Sequence, residues 1–306
     1  RAIRRRRPTS CSSPTAEGGP VKHVYGWLLL TPAAILLIGF THYPAVATLI
    51  DSFFSTGTAV RPSRFVGFDN YVKSFQDETF WSTLSFTGAF VVVSLVLINV
   101  VAFGLALIVT TKLRSANIFR TFFFVPNLIG GVVLGVIWQF IFNSALPSLA
   151  YVYEWPIFQD SWLNETDTAF WALIIVTVWQ QSGYMMIIYI TGLISIEPDV
   201  LEAARIDGAS ALRTLLSVKI PLMAQAFTIS LFLTLRGGFM AYDVNLALTG
   251  GGPYRSTELI SMHIFQDAFR LGNFDTGQSK AVIMFIMVAV AALVQVSVSK
   301  RMEVQR

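Results

Sequence analysis

Six apolar stretches dominate this sequence: 27–50, 84–110, 122–142, 170–194, 222–242 and 281–298. They are 18 to 27 residues long, and a helix needs about 20 mostly apolar residues, at ~1.5 Å each, to cross ~30 Å of hydrocarbon. Among Asp, Glu, Lys and Arg, Arg236 alone lies inside any of them. Only 13% of all residues are charged, against about 25% in a soluble domain. Much of the surface therefore faces lipid. The expected fold is an all-α membrane protein with six transmembrane helices.

The basic residues orient these spans, because cytoplasmic loops carry the excess of Lys and Arg. With the N-terminus inside, fifteen fall on the cytoplasmic side, including Arg1, Arg4, Arg5, Arg6 and Arg7. Six fall outside, and the loop 143–169 holds four acids (Glu154, Asp160, Glu165, Asp167) and no base. Both termini are expected to be cytoplasmic. Residues 1–25 read as a basic, disordered tail and 26–306 as the transmembrane domain. The first span is too long for a signal-peptide core and lacks a small-residue cleavage site, so it reads as a retained helix.

The same clustering argues against nucleic acid. The net charge of +4 comes mostly from the arginine run beside the first span, which marks a membrane side. The single cysteine, Cys11, supports neither a disulfide framework nor a metal site. The histidines, His23, His42 and His263, stand far apart without a ligand set. No Gly-rich loop is followed by Lys-Ser/Thr, so this chain offers no phosphate cradle. No catalytic acid or nucleophile set emerges for a membrane enzyme acting on lipid-linked sugars. The buried titratable acids that a proton-coupled carrier would need are missing from the spans.

The most informative stretch is the connection 197–220, between the fourth and fifth spans. Pro198 suits a first helical position, Asp199 lies where the helix dipole favours an anion, and Ala203 and Ala204 are strong helix formers. Asp207-Gly208 signals a turn, Ser210 can cap a second short helix, and Pro221 opens the next span. A helix–turn–helix at the cytoplasmic face, with small residues beside Glu202, suits docking into a partner's groove as well as it suits a plain connector.

Here Glu202-Ala203-Ala204, Asp207-Gly208-Ala209 and Ile220-Pro221 resemble the EAA loop of binding-protein-dependent ABC importer permeases. Leu215 stands where many members carry an aromatic residue, and Val218 replaces a usual isoleucine. Phe65-Val-Gly-Phe-Asp-Asn-Tyr-Val72 and Leu248-Thr-Gly-Gly-Gly-Pro253 are similar to the carbohydrate-uptake branch related to maltose permeases. The resemblance implies the type I (MetI-like) importer permease fold and a non-catalytic translocation subunit for a sugar or oligosaccharide in a bacterial plasma membrane. A polyol or glycerol phosphate is the alternative solute. It also implies a coupling segment (Glu202, Ala203, Ala204, Asp207, Gly208, Ala209, Leu212, Leu215) and these partners: a second related permease, two ATP-binding subunits and an extracytoplasmic solute-binding protein. No cofactor is expected in this chain; ATP and Mg would sit on the ATPases.

Polar residues inside the spans are the candidates for solute contact: Arg236, Gln180, Gln181, Tyr184, Trp138 and Gln139, with Asp243 near the outer mouth. A lone charge there costs ~2.5–3.5 kcal/mol unless it faces a cavity or partner. Arg236 reads sooner as a structural partner of Asp243, or as exposed by a shifted span boundary, than as a solute contact, and the polar residues of the third and fourth spans read sooner as interhelical hydrogen bonders. Trp27 and Trp162 read as interfacial anchors.

Overall fold

The computed structural model describes residues 30–57, 62–111 and 116–300. The tail 1–25, the first residues of the first span and the C-terminal 301–306 lie outside the described residues. The chain divides into two units, one ending at Ile50 and one from Asp51 onward.

Among the described residues the first unit is the helix α1 (Leu30–Asp51), whose last residue already belongs to the second. Its hydrogen-bond ladder widens into a π turn at Ile38–His42, two residues ahead of Pro44. Proline has no N–H to give and its ring crowds the carbonyl four residues back, and the widened turn absorbs that clash.

In the second unit, a two-stranded hairpin pairs Phe54 with Phe65 and leads to a short helix α2 (Asp69–Gln76). Then come α3 (Glu78–Val109), α4 (Ala116–Phe124), α5 (Gly131–Tyr153) and α6 (Thr166–Ile194). The loop helices α7 (Pro198–Ile206) and α8 (Ala211–Leu222) precede α9 (Ala224–Phe239), then α10 (Asp243–Leu248), α11 (Ile260–Phe265) and α12 (Phe274–Lys300).

The central helix α3 explains why the assembly needs lipid. Its buried face carries Thr83, Thr87, Ser94, Asn99, Ala102 and Ala106, at helical spacing. Its outward face carries Val92, Val96, Val100 and Ile108, each more than half exposed. Water would favour the reverse; hydrocarbon favours this arrangement, where small residues allow close packing and polar ones bond inside the bundle. Thr87 and Ser94 return their hydroxyl protons to the carbonyls of Thr83 and Phe90 at 2.8 and 2.6 Å, leaving no bare donor.

One apolar core joins Phe90, Leu134, Phe142, Leu173, Ile174 and Leu248; a second joins Ile98, Ala106, Met185, Met186, Tyr189 and Met223. Glycines set the closest approaches. A Cβ at Gly183 would overlap the Phe123 carbonyl, and one at Gly131 would come within 2.7 Å of the Asp243 Cβ.

Among the described residues, five helices are long and apolar enough to cross a membrane: α1, α3, α5, α6 and α12. The pair α8 and α9 makes a sixth if its 72° bend lies within one span. The count agrees with the sequence, but two bounds do not. The stretch 122–142 is not one helix. Pro126 ends α4 in a 3-10 turn at Val125–Leu128, and Gly130 and Gly131 restart the chain as α5, which runs on to Tyr153. The fifth span is likewise shorter than expected, since its straight part is only the 16 residues of α9.

Candidate coupling loop and solute track

The loop after α6 folds as its residues dictate. Pro198 occupies the first turn of α7. At the other end Ala209 N donates to the Ala204 carbonyl and Gly208 N to that of Arg205, both at 3.0 Å. This crossed pair satisfies carbonyls that the helix end would leave open, and it needs a left-handed residue at Gly208, whose φ is +74°. The Ser210 hydroxyl accepts from Arg213 N at 3.3 Å and starts α8. A π turn at Leu215–Lys219 precedes Pro221, and the chain then breaks at Met223 into α9.

Glu202, Ala203, Asp207 and Gly208 are exposed, Ala204, Ala209 and Leu215 partly so. Three apolar side chains also project: Ile206 at 86% exposure, Leu212 at 64% and Leu216 at 55%. Exposed apolar side chains grouped on a capped elbow make a surface that burial against another body would favour.

The transmembrane candidates separate. Gln180, Gln181 and Asp243 line one cavity of about 260 Å³, together with Ser94, Thr177 and Thr234. Gln180 also donates to the Ile129 carbonyl at 3.2 Å, so that amide has a structural duty as well. Tyr184 lines a second cavity of about 470 Å³ between α6 and the start of α9. Trp138 and Gln139 line neither; Trp138 packs tilted against Phe142 and edge-to-face with Trp179, and Gln139 is exposed. Arg236 is exposed, in the last turn of α9. It does not pair with Asp243: the ion pairs among the described residues join Arg255, His263 and Lys280 to Asp77, Glu258 and Asp267.

Those pairs form a cluster, buried at Glu258, His263, Asp267 and Lys280, that sequence reading passed over. Lys280 Nζ donates to Asp77 at 2.6 Å and to Asp267 at 2.7 Å, tying the starts of α3 and α12 to the segment after α11. Burial pushes the Asp77, Glu258 and Asp267 carboxyls up. Hydrogen bonds outweigh it and hold all three below the usual range: from Lys280 to Asp77 and Asp267, from His263 and Arg255 to Glu258. Only the three-dimensional fold brings these residues together.

Residues 112–304 match the model of a protein family described as the binding-protein-dependent transport system inner membrane component. The chain belongs to that family. It is a multi-pass transport subunit, and this permease is 40% identical to the probable starch degradation products transport system permease protein of Thermoanaerobacterium thermosulfurigenes, over 92% of this chain and 96% of the relative. Its fold is similar to that of a bacterial ABC transporter involved in the import of the acidic polysaccharide alginate (TM-score 0.76, 20% identity, 92% of this chain and 96% of that one). A bacterial alginate ABC transporter in complex with an alginate pentasaccharide-bound periplasmic protein matches with a TM-score of 0.74, at 20% identity over 92% and 94% of the two chains. The fold is thus the all-helical type I, MetI-like importer permease fold.

Proposed function

We propose that this permease carries a sugar or short oligosaccharide across a bacterial inner membrane, driven by ATP that partner subunits hydrolyse. The observation that carries this reading is the elbow 197–220, which presents exposed Ile206, Leu212 and Leu216 around a glycine-capped turn. The 40% identical relative, named for starch degradation products, supports the solute class. A neutral saccharide fits the polar chamber, where Gln181, Thr177 and Thr234 can exchange hydrogen bonds with hydroxyls.

In this reading both termini are cytoplasmic and the elbow faces the cytoplasm. Glu202, Ala203, Ala204, Asp207, Gly208, Ala209, Leu212 and Leu215 seat against an ATP-binding subunit. Closure of two such subunits, with their ATP and Mg, pushes the elbow. The bend at Met223 then passes the movement into α9, whose other neighbours are α3, α6 and α12. A second related permease completes the pathway, and an extracytoplasmic solute-binding protein delivers the sugar. Exposed Arg236 then faces the shared pathway, because a guanidinium against lipid is costly.

The test is co-expression with the neighbouring transport genes, purification and reconstitution. An ATPase and a solute-binding protein should assemble with the permease, and labelled maltotriose should accumulate only with ATP. Recovery of the permease without any ATPase would overturn the reading.

A further inference from the structure

We propose that Leu233 is the septum of the solute track, the side chain that divides it into two chambers and sets what can leak through. The inference deepens the transport reading and rests on it for the identity of the track.

The two cavities follow one another along the same pair of helices. The first is bounded on α6 by Thr177, Gln180 and Gln181, the second by Tyr184, Thr191 and Ser195, nearer the elbow. On α6 and its C-cap the lining residues Thr177, Gln181, Tyr184, Ile188, Thr191 and Ser195 recur every three or four positions, which makes one continuous face. Eighteen residues separate Thr177 from Ser195, about 27 Å of helix at ~1.5 Å per residue. That is close to the ~30 Å of the hydrocarbon core. The facing stripe on α9 runs through Ala226, Ile229, Leu233 and Gly237. Leu233 is the one residue that lines both chambers.

Its chemistry suits a barrier. The first chamber beside it is polar, through Gln181, Thr234 and Asp243. A branched apolar side chain between two chambers opposes the passage of water and polar solutes, the way an apolar constriction closes a pore. Toward the first chamber the next position on the stripe is Gly237, where an added Cβ would meet nothing within 4 Å. Gly237 therefore puts no side chain into the track on that side, and Leu233 is the side chain that stands between the two chambers.

Its backbone is held rigidly. Asn99 Nδ2 donates to the Thr234 hydroxyl at 3.1 Å and to the Leu95 carbonyl at 2.7 Å. Asn99 Oδ1 accepts from the Tyr189 and Ser230 hydroxyls, both at 2.6 Å. All four hydrogen-bonding positions of this amide are filled, and the knot ties α3, α6 and α9 together at the level of Leu233. With the backbone fixed, the side chain alone decides whether the chambers connect.

The experiment uses the complete transporter in proteoliposomes, with two readouts: ATP-driven uptake of labelled maltotriose, and ATP-independent release of entrapped labelled sucrose. Leu233→Ala should raise sucrose release at least tenfold, and Leu233→Phe should lower maltotriose uptake without adding leak. Leu231→Ala, two residues earlier and on the other side of the helix, lines neither chamber and should do neither. Unchanged release with Leu233→Ala overturns the septum, and so does unchanged uptake with Leu233→Phe should the alanine variant fail to assemble. Absence of maltotriose uptake in the unaltered transporter, with the leak of Leu233→Ala still present, overturns the solute reading and leaves the septum standing.

Discussion

Gly208 meets a local demand and, in the proposed reading, a functional one at the same position. Its φ of +74° closes the end of α7, and a side chain there adds ~1–3 kcal/mol of backbone strain. Nothing crowds the site, since a Cβ would find no atom within 4 Å, so the fold as a whole should tolerate the change. Gly208→Val should therefore leave membrane insertion intact, measured by the amount in the membrane fraction, while maltotriose uptake falls at least tenfold. Gly183 is the opposite case. Any Cβ there meets the Phe123 carbonyl, so Gly183→Ala should lower the yield of folded protein, seen by gel filtration in detergent. The first glycine was legible in the sequence because turn chemistry is local. The second was not, because its constraint comes from the helix end at Phe123, 60 residues earlier. Arg236 shows the same divide: its sequence marks it as exceptional, but only the structure shows that Asp243 is not its partner. Arg236→Ala should reduce uptake or shift solute preference while ATPase recruitment is unchanged, as checked by copurification.

Among the elements, three helices share one device. Pro44, Pro147 and Pro221 each stand two residues after a π turn, at Ile38–His42, Ile141–Ala145 and Leu215–Lys219. In each the missing N–H is accommodated by widening the turn before it. At Pro221 the device adjoins the 72° bend between α8 and α9, where movement of the elbow would enter the bundle. Pro221→Ala restores a donor and should stiffen this joint. The expected result is a lower ratio of maltotriose transported to ATP hydrolysed, with hydrolysis itself retained. Hydropathy found the helices readily, since lipid-facing apolar length is a property of the chain alone. It misplaced the third span because Pro126 and the Gly130-Gly131 pair interrupt a stretch whose composition never changes. The two chambers were only half legible, with Gln180, Gln181 and Tyr184 visible as polar intruders but Leu233 indistinguishable from any apolar residue of a span.

Over the whole molecule, the bundle is held from inside by polar bonds and at one end by the Lys280 cluster. Lys280 is 2% exposed and Asp267 5%. Removing one partner of such a buried pair costs ~3–5 kcal/mol, because a charge is left uncompensated. Lys280→Met should accordingly lower the thermal midpoint, and Lys280→Met with Asp267→Asn should recover part of the loss. The cluster also fixes a pH dependence. Its carboxyls are held below their ordinary values near 4, so the stability they add is present above about pH 4 and is lost as pH falls through their lower folded values. Thermal unfolding followed from pH 7 to pH 3 should show that loss, and a Lys280→Met protein should show less of it.

The central claim is that the elbow around Glu202 and Gly208 is a cytoplasmic joint gripped by an ATPase. A cysteine in place of Ala203, with Cys11 changed to serine, tests it most directly. It should cross-link to the ATP-binding subunit in membranes and stay unlabelled when intact cells meet an impermeant thiol reagent. Labelling from outside, with no cross-link inside, would contradict it.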